Sequence, residues 1–384
     1  MLALLWLLYA SFGLLSRSIF PLVSPILRDL HISYSQMGVI LGSWQLTYIV
    51  VALLAGGLLD RWGKHTILAG VMIMGLSCVL RYFPHGFWAM LGAVALFGAG
   101  GPVISIGGPK MISQYFKGRS RGTAIGIYMT GPWIGGMLAL ALTNSFVMPL
   151  TGDSWRLTFV SFGALAFAVG FLWYLFAKEF KHSGTTGDVG TLELFGSLMR
   201  VRNIQVLLIM GLFAFAIGHG FSGWLPKILE SDGMSATRAG LYASMCLAAA
   251  IPSILLVPRL VPPYLRGRSI ALLALITGVS LFLAVNGSGA LRITGLILFG
   301  VADSAFVPIM LLILMDSPEV EPGYMGAAGG MFFCVSEIGG VAGPLAVGAL
   351  VDMTGTFMTG GSFLAGLCIA IIAMTFFLKP VRIS

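Results

Sequence analysis

The chain has 384 residues, of which 58% are hydrophobic and 9% charged, with a formal net charge of +8 and a mean hydropathy of +0.96. So apolar a composition excludes a water-soluble domain, whose surface must be polar. The positive balance is spread over many short intervals with no long basic stretch, which excludes a nucleic-acid-binding module. The chain reads as a membrane protein.

A helix that crosses a hydrocarbon layer of roughly 30 Å needs about 20 mostly apolar residues. Twelve windows meet this description, near 3–27, 36–58, 66–83, 87–112, 122–147, 156–178, 204–228, 237–257, 269–286, 291–315, 326–350 and 358–379. They are continuous runs rich in Leu, Ala and Gly, unlike the alternating strands of a membrane barrel. The first, MLALLWLLYASFGLL, has no basic leading region and no small-residue cleavage site, so it reads as a membrane helix and not as a signal peptide.

Between the second and third windows, GGLLDRWGKHT gathers Asp60, Arg61, Lys64 and His65. A second basic group, Lys117, Arg119 and Arg121, follows the fourth window. The longest polar interval, Lys178 to Asn203, divides the chain into residues 1–180, a linker over 181–203 and residues 204–384. In the linker, Leu192, Leu194, Phe195, Leu198 and Met199 form either a short amphipathic face at the membrane interface or a plain connector. GPWIGG at 131–136 is echoed by GPLAVG at 343–348, which points to two related halves. The four cysteines fall inside apolar windows, where free Cys behaves as a small hydrophobe, and imply no disulfide or metal framework. One sequon, Asn286-Gly287-Ser288, falls in a loop between windows nine and ten.

Basic residues concentrate on the cytoplasmic side of membrane helices. The loops after even-numbered windows, with the carboxy-terminal tail, hold most of the loop Lys and Arg, whereas only Arg28, Arg156, Lys227, Arg238 and Arg292 lie in the opposite loops. Both termini are therefore expected in the cytoplasm.

The loop GGLLDRWGKHT matches G-x-x-x-D-R-x-G-R-K at Gly56, Asp60, Arg61, Gly63 and Lys64, with His65 departing from the usual basic residue. With the twelve windows, the six-plus-six division and the basic loop before the fifth window, the whole chain resembles the major facilitator superfamily. The resemblance implies an all-α membrane protein of twelve transmembrane helices in two pseudo-symmetric six-helix bundles, carrying a solute by alternating access. It also implies a cytoplasmic gate made of Gly56, Asp60, Arg61, Gly63, Lys64, Arg119 and Arg121. The corresponding loop of the second half, PRLVPPYLRGRS, lacks an acidic residue, so the latch is expected on one side only.

GPWIGG resembles a signature of proton-driven exporters, but Ile127 stands where a glycine is expected, and close helix packing around Pro132 is the simpler reading. FGLLSRSIFPLVSPIL, CVLRYFP and GFSGWLPKIL resemble segments of the cyanate permease and nitroimidazole transporter group.

An ionisable residue inside a membrane helix is costly and by default a functional candidate. Six occur: Arg17, Arg81, Lys110, His219, Asp303 and Glu337. Arg17 must find a carboxylate or an anionic solute, because a guanidinium does not discharge, and its planar fork suits both. Arg81 is a second candidate for the same anion, and Lys110 is expected to reach the cytoplasmic interface along its flexible stem. Asp303 and Glu337 are candidates for proton coupling, or for neutralising the two arginines. His219 is a third coupling candidate. Gln45, Tyr48, Tyr128, Trp133, Trp224 and Phe332 offer cavity walls, of which Tyr48 and Tyr128 are taken as substrate-binding candidates.

These readings converge on a secondary active transporter of a small anionic solute, coupled to protons, monomeric, surrounded by lipid in a bacterial cytoplasmic membrane. No nucleotide-binding G-x-x-x-x-G-K-[ST] is present and no nucleophile-base or metal-ligand constellation appears, so neither an ATP-driven pump nor an enzyme is expected, and no cofactor. The alternative is a proton-driven exporter of drugs or hydrophobic metabolites.

Overall fold

The computed structural model describes residues 1–117, 119–178, 199–317 and 325–378, and among these every regular element is a helix. Eleven helices are long and apolar enough to cross a membrane: α1 (Leu2–Leu30), α2 (Tyr34–Trp62), α4 (Phe87–Tyr115), α5 (Ser120–Leu150), α6 (Trp155–Phe176), α7 (Arg202–Ser231), α8 (Ala236–Leu260), α9 (Pro263–Asn286), α10 (Gly289–Met315), α11 (Ala328–Thr354) and α12 (Phe357–Thr375). A twelfth apolar helix, α3 (Lys64–Leu80), is shorter. The twelve match the twelve windows read from the sequence. Most of the linker, including Leu192 to Leu198, lies outside the described residues, as do Lys181, Lys379 and Arg382 and the side chain of Arg119.

The chain forms two compact units, Met1–Thr185 with Gly223–Leu247, and Thr186–Ser222 with Ala248–Ser384. In the first, α1 packs on α5, α2 on α4, and α3 on both α4 and α6. The α1–α5 seam uses the GPWIGG stretch: Gly131 and Gly135 lie against the α1 backbone around Ala10, and Trp6 Nε1 donates to Thr130 Oγ1 at 3.0 Å. Small residues permit this close approach, which gives helices in lipid their packing contacts. Two helices are interrupted. A 3₁₀ turn at Phe20–Leu22, containing Pro21, breaks α1 three residues after Arg17, and a π turn at Thr143–Val147 precedes Pro149 in α5. The core includes Leu5, Leu8, Phe97, Phe159 and Trp173, while Leu53, Leu54, Phe171 and Phe176 face outward. Such a large apolar exterior is what a lipid environment covers.

At one end of this unit, Gly63 adopts φ +52° and turns α2 into α3, a conformation that glycine reaches without steric cost. At the other end, Ser33 and Gln36 form a reciprocal cap on α2, with Gln36 N donating to Ser33 Oγ at 3.2 Å and Ser33 N to Gln36 Oε1 at 3.0 Å. There Arg156 of α6 pairs with Asp29 and donates to the carbonyls of Tyr82 and Pro84.

The second unit repeats the scheme. Here α9 packs on α10 and α12, Gly339 and Gly343 of α11 lie against α7 at Leu212 and Ala216, and Ser253 of α8 donates to the Val301 carbonyl of α10 at 2.6 Å. The α7–α11 seam is thus the counterpart of α1–α5, as the echoed Gly-Pro stretches foreshadow.

Candidate functional site

Arg17 ends the first straight segment of α1, just before the 3₁₀ turn. Its Nη1 donates to the Pro132 carbonyl at 3.4 Å, and its guanidinium carbon lies 5.7 Å from the centre of the Trp133 ring. It makes no ion pair with a carboxylate among the described residues. Gly136 makes room for it: a Cβ there would stand 3.0 Å from Arg17 Nε and 3.1 Å from Nη1. Seam packing and arginine placement therefore use the same stretch of α5.

Below Arg17 runs a set of aromatic rings. Tyr9 stacks on Tyr128 at 4.4 Å and 13°, and the Tyr128 hydroxyl donates to the Ile104 carbonyl at 2.7 Å. Phe12 meets Phe97 at 5.4 Å and Trp44 at 5.9 Å, and Trp44 meets Tyr48 edge-on at 6.0 Å. The Tyr48 hydroxyl shares a hydrogen bond with Ser105 Oγ at 2.7 Å. Tyr128 is fully buried and Tyr48 is half-buried. Sequence reasoning singled out the two tyrosines on α2 and α5 but missed Tyr9, Phe12, Trp44 and Phe97. Tyr9 carried a usable signal, since eight residues separate it from Arg17, about two helical turns on one helix.

Arg81 has a different setting. It follows the end of α3, is 1% exposed, lies 4.9 Å from the Phe159 ring and donates from Nη2 to Ser77 Oγ at 3.3 Å. Its Nε and Nη1 have no hydrogen-bond partner.

The second unit carries two carboxylates inside its helices, Glu337 buried and Asp303 half-buried. Glu337 on α11 is 7% exposed and its Oε2 has no hydrogen-bond partner; nor does the neighbouring Ser336 Oγ. Asp303 on α10 lies against α7, where a Cβ on Gly218 would stand 3.1 Å from Asp303 Oδ2. His219, next in the chain, sits 5.7 Å from the Phe215 ring. Neither carboxylate forms an ion pair within its own unit.

Among the loop residues, Asp60 pairs with Lys110 of α4. Its stem reaches across to the end of α2, the end that the sequence assigns to the cytoplasmic side. The Arg61 guanidinium lies over Trp62 at 5.2 Å, the Lys64 carbonyl accepts from Trp173 Nε1 at 3.0 Å, and Arg121 is exposed. The second half is not without an acidic partner either. Arg266, from its corresponding loop, pairs with Asp316 and donates to the Leu312 carbonyl at 3.2 Å. The acid lies at the end of α10, where a search of the loop sequence alone does not find it.

One unit thus holds an arginine beside aromatic rings and the other holds two carboxylates inside its helices, an arrangement compatible with solute transport. The sequence model of the Major Facilitator Superfamily matches residues 5–344, and the chain belongs to that superfamily. It is 25% identical to a hexuronate transporter of Bacillus subtilis over 96% of this chain and 92% of that protein. A galacturonate transporter of Dickeya chrysanthemi is 29% identical over 44% of this chain and 49% of its own length. In fold, a nucleoside transporter, NupG, superposes with a TM-score of 0.81 at 18% identity, covering 98% of this chain and 99% of that one.

Proposed function

We propose that the protein imports a small carboxylate-bearing solute of the sugar-acid kind across a bacterial cytoplasmic membrane, by alternating access of two six-helix halves and with protons as the coupling ion. The observation that carries this reading is Arg17, a guanidinium inside a membrane helix with no carboxylate partner among the described residues, lying over Trp133. A charge so situated is stabilised by an anion that enters. The solute's carboxylate meets the Arg17 fork, and the neighbouring rings, with Tyr48 and Tyr128 among them, take its less polar face. The hexuronate and galacturonate relatives support this chemistry and rank sugar acids ahead of the anions suggested by a likeness to the cyanate permease group.

Asp303 and Glu337 carry the coupling protons, with His219 beside Asp303 as an auxiliary. A carboxylate held away from water and from bases can alternate between protonated and ionised forms as its surroundings change during a cycle. Asp60, Arg61, Lys64, Arg119 and Arg121, with the turn glycines Gly56 and Gly63, work the cytoplasmic gate; residues 1–180 and 204–384 form the two halves, joined by 181–203, with both termini in the cytoplasm and a single chain as the working unit. The exporter alternative draws on GPWIGG and on the aromatic content; of these, the GPWIGG glycines serve the α1–α5 seam.

Proteoliposomes containing the purified protein, given labelled galacturonate and an imposed inward proton gradient, test the reading. Accumulation above the outside concentration that collapses with a protonophore is expected. Equal galacturonate levels with and without the gradient contradict coupling, and no uptake of any sugar acid contradicts the substrate class.

A further inference from the structure

Of the five basic residues that the sequence assigns to loops on the far side from the termini, three are accounted for. Arg156 is committed to Asp29 and two carbonyls, Arg292 is buried on α10, and Arg238 is exposed on α8. The other two, Arg28 and Lys227, come from α1 and α7 and line one cavity of about 430 Å³ within the first unit. Neither makes a hydrogen bond or ion pair with a described residue. The one carboxylate on the lining, Glu230, accepts a hydrogen bond from the Ser24 hydroxyl and forms no ion pair with either cation, so the lining carries two positive charges against one negative. Leu27, Ile32 and Met234 supply an apolar wall, and Tyr34 another ring. An exposed Arg28 and a half-buried Lys227, in excess over one carboxylate, with a hydroxyl and an apolar wall in a space of small-molecule size, are the parts of an anion site.

We propose that this cavity is a peripheral docking site for a small organic carboxylate, separate from Arg17. Arg28 lies eleven residues beyond Arg17, past the 3₁₀ turn that breaks α1, on the order of 16 Å of helical rise, so one small solute does not touch both. Carboxylates arriving from the outer face are captured between Arg28 and Lys227 before moving inward, which raises the local solute concentration at the mouth of the path. The identity of the carboxylate as the transported solute rests on the function proposed above; anion binding by the cavity does not.

Met234 is a reporter on the cavity wall. In full-length protein labelled with methyl-¹³C methionine, its signal is assigned through Met234→Leu, and galacturonate, neutral galactose and inorganic phosphate are titrated in turn. The expected result is a saturable Met234 shift with galacturonate and none with galactose, retained in Arg17→Gln and lost in Arg28→Gln/Lys227→Gln. The double variant also raises the KM for uptake on the order of tenfold at low salt, keeps its kcat, and melts with the wild type because neither side chain has a partner to lose. No Met234 shift, a shift that survives removal of both cations, a shift lost in Arg17→Gln, or a stronger response to phosphate than to galacturonate each overturns the proposal. A Met234 shift in a protein that takes up no galacturonate keeps the docking site and removes the transport reading.

Discussion

The two units share a packing plan and differ in charge. In both, a Gly-Pro-bearing helix lies against the first helix of its half, Gly135 on Ala10 in one and Gly343 on Ala216 in the other. In both, an ion pair closes the same kind of corner, but with the signs exchanged: Asp60 at the end of α2 meets Lys110 on α4, whereas Arg266 at the start of α9 meets Asp316 at the end of α10. Deeper in, the first unit holds Arg17 and Arg81 without carboxylates, and the second holds Asp303 and Glu337 without an ion-pairing base. Packing tolerates little change because helices in lipid associate through close backbone contact. Charge is free to differ, and in the proposed cycle the difference separates anion binding from proton handling.

Substitutions in the two units should therefore fail differently. Arg17→Gln has the largest expected effect, lowering kcat/KM for galacturonate by about 100-fold or more, the scale of removing one partner of a buried charge pair; Arg17→Lys should not restore it, since a point charge lacks the planar fork. Asp303→Asn and Glu337→Gln come next: proton-driven accumulation is lost while solute binding stays within severalfold of the wild type, measured by gradient-driven uptake alongside equilibrium binding. Gly136→Ala sharpens the first-unit assignment, because the three atoms nearest the added methyl all belong to the Arg17 side chain; about 1 kcal/mol of binding, a roughly fivefold rise in KM, is expected with an unchanged melting temperature. Arg81→Met should do least. Enclosed under Phe159 with one hydrogen bond, Arg81 is a desolvated charge whose replacement by an apolar side chain removes a burial cost, so uptake should persist and thermal stability hold or rise.

The helices were legible in the sequence because the bilayer demands one thing of every span, about 20 apolar residues. The short α3 still stood out, since Gly63 and the charges around it mark its start. The α1–α5 and α7–α11 seams could be anticipated from the echoed Gly-Pro stretches. What could not be read were pairings between residues distant in the chain. Lys110 looked free until α4 came beside α2, and the acid for Arg266 lay 50 residues downstream at Asp316. Arg17 and Arg81 are alike in sequence, each an arginine in an apolar run, yet one lies over Trp133 beside a row of aromatic rings and the other is sealed between α3 and α6. Only the neighbours tell them apart.

The most direct test of the central claim is galacturonate counterflow, in which labelled solute exchanges for unlabelled solute across the membrane without net proton movement. If Arg17 holds the anion and the second-unit carboxylates serve coupling, Arg17→Gln proteoliposomes will show no exchange while Asp303→Asn and Glu337→Gln exchange near the wild-type rate. Wild-type exchange in Arg17→Gln would contradict the account.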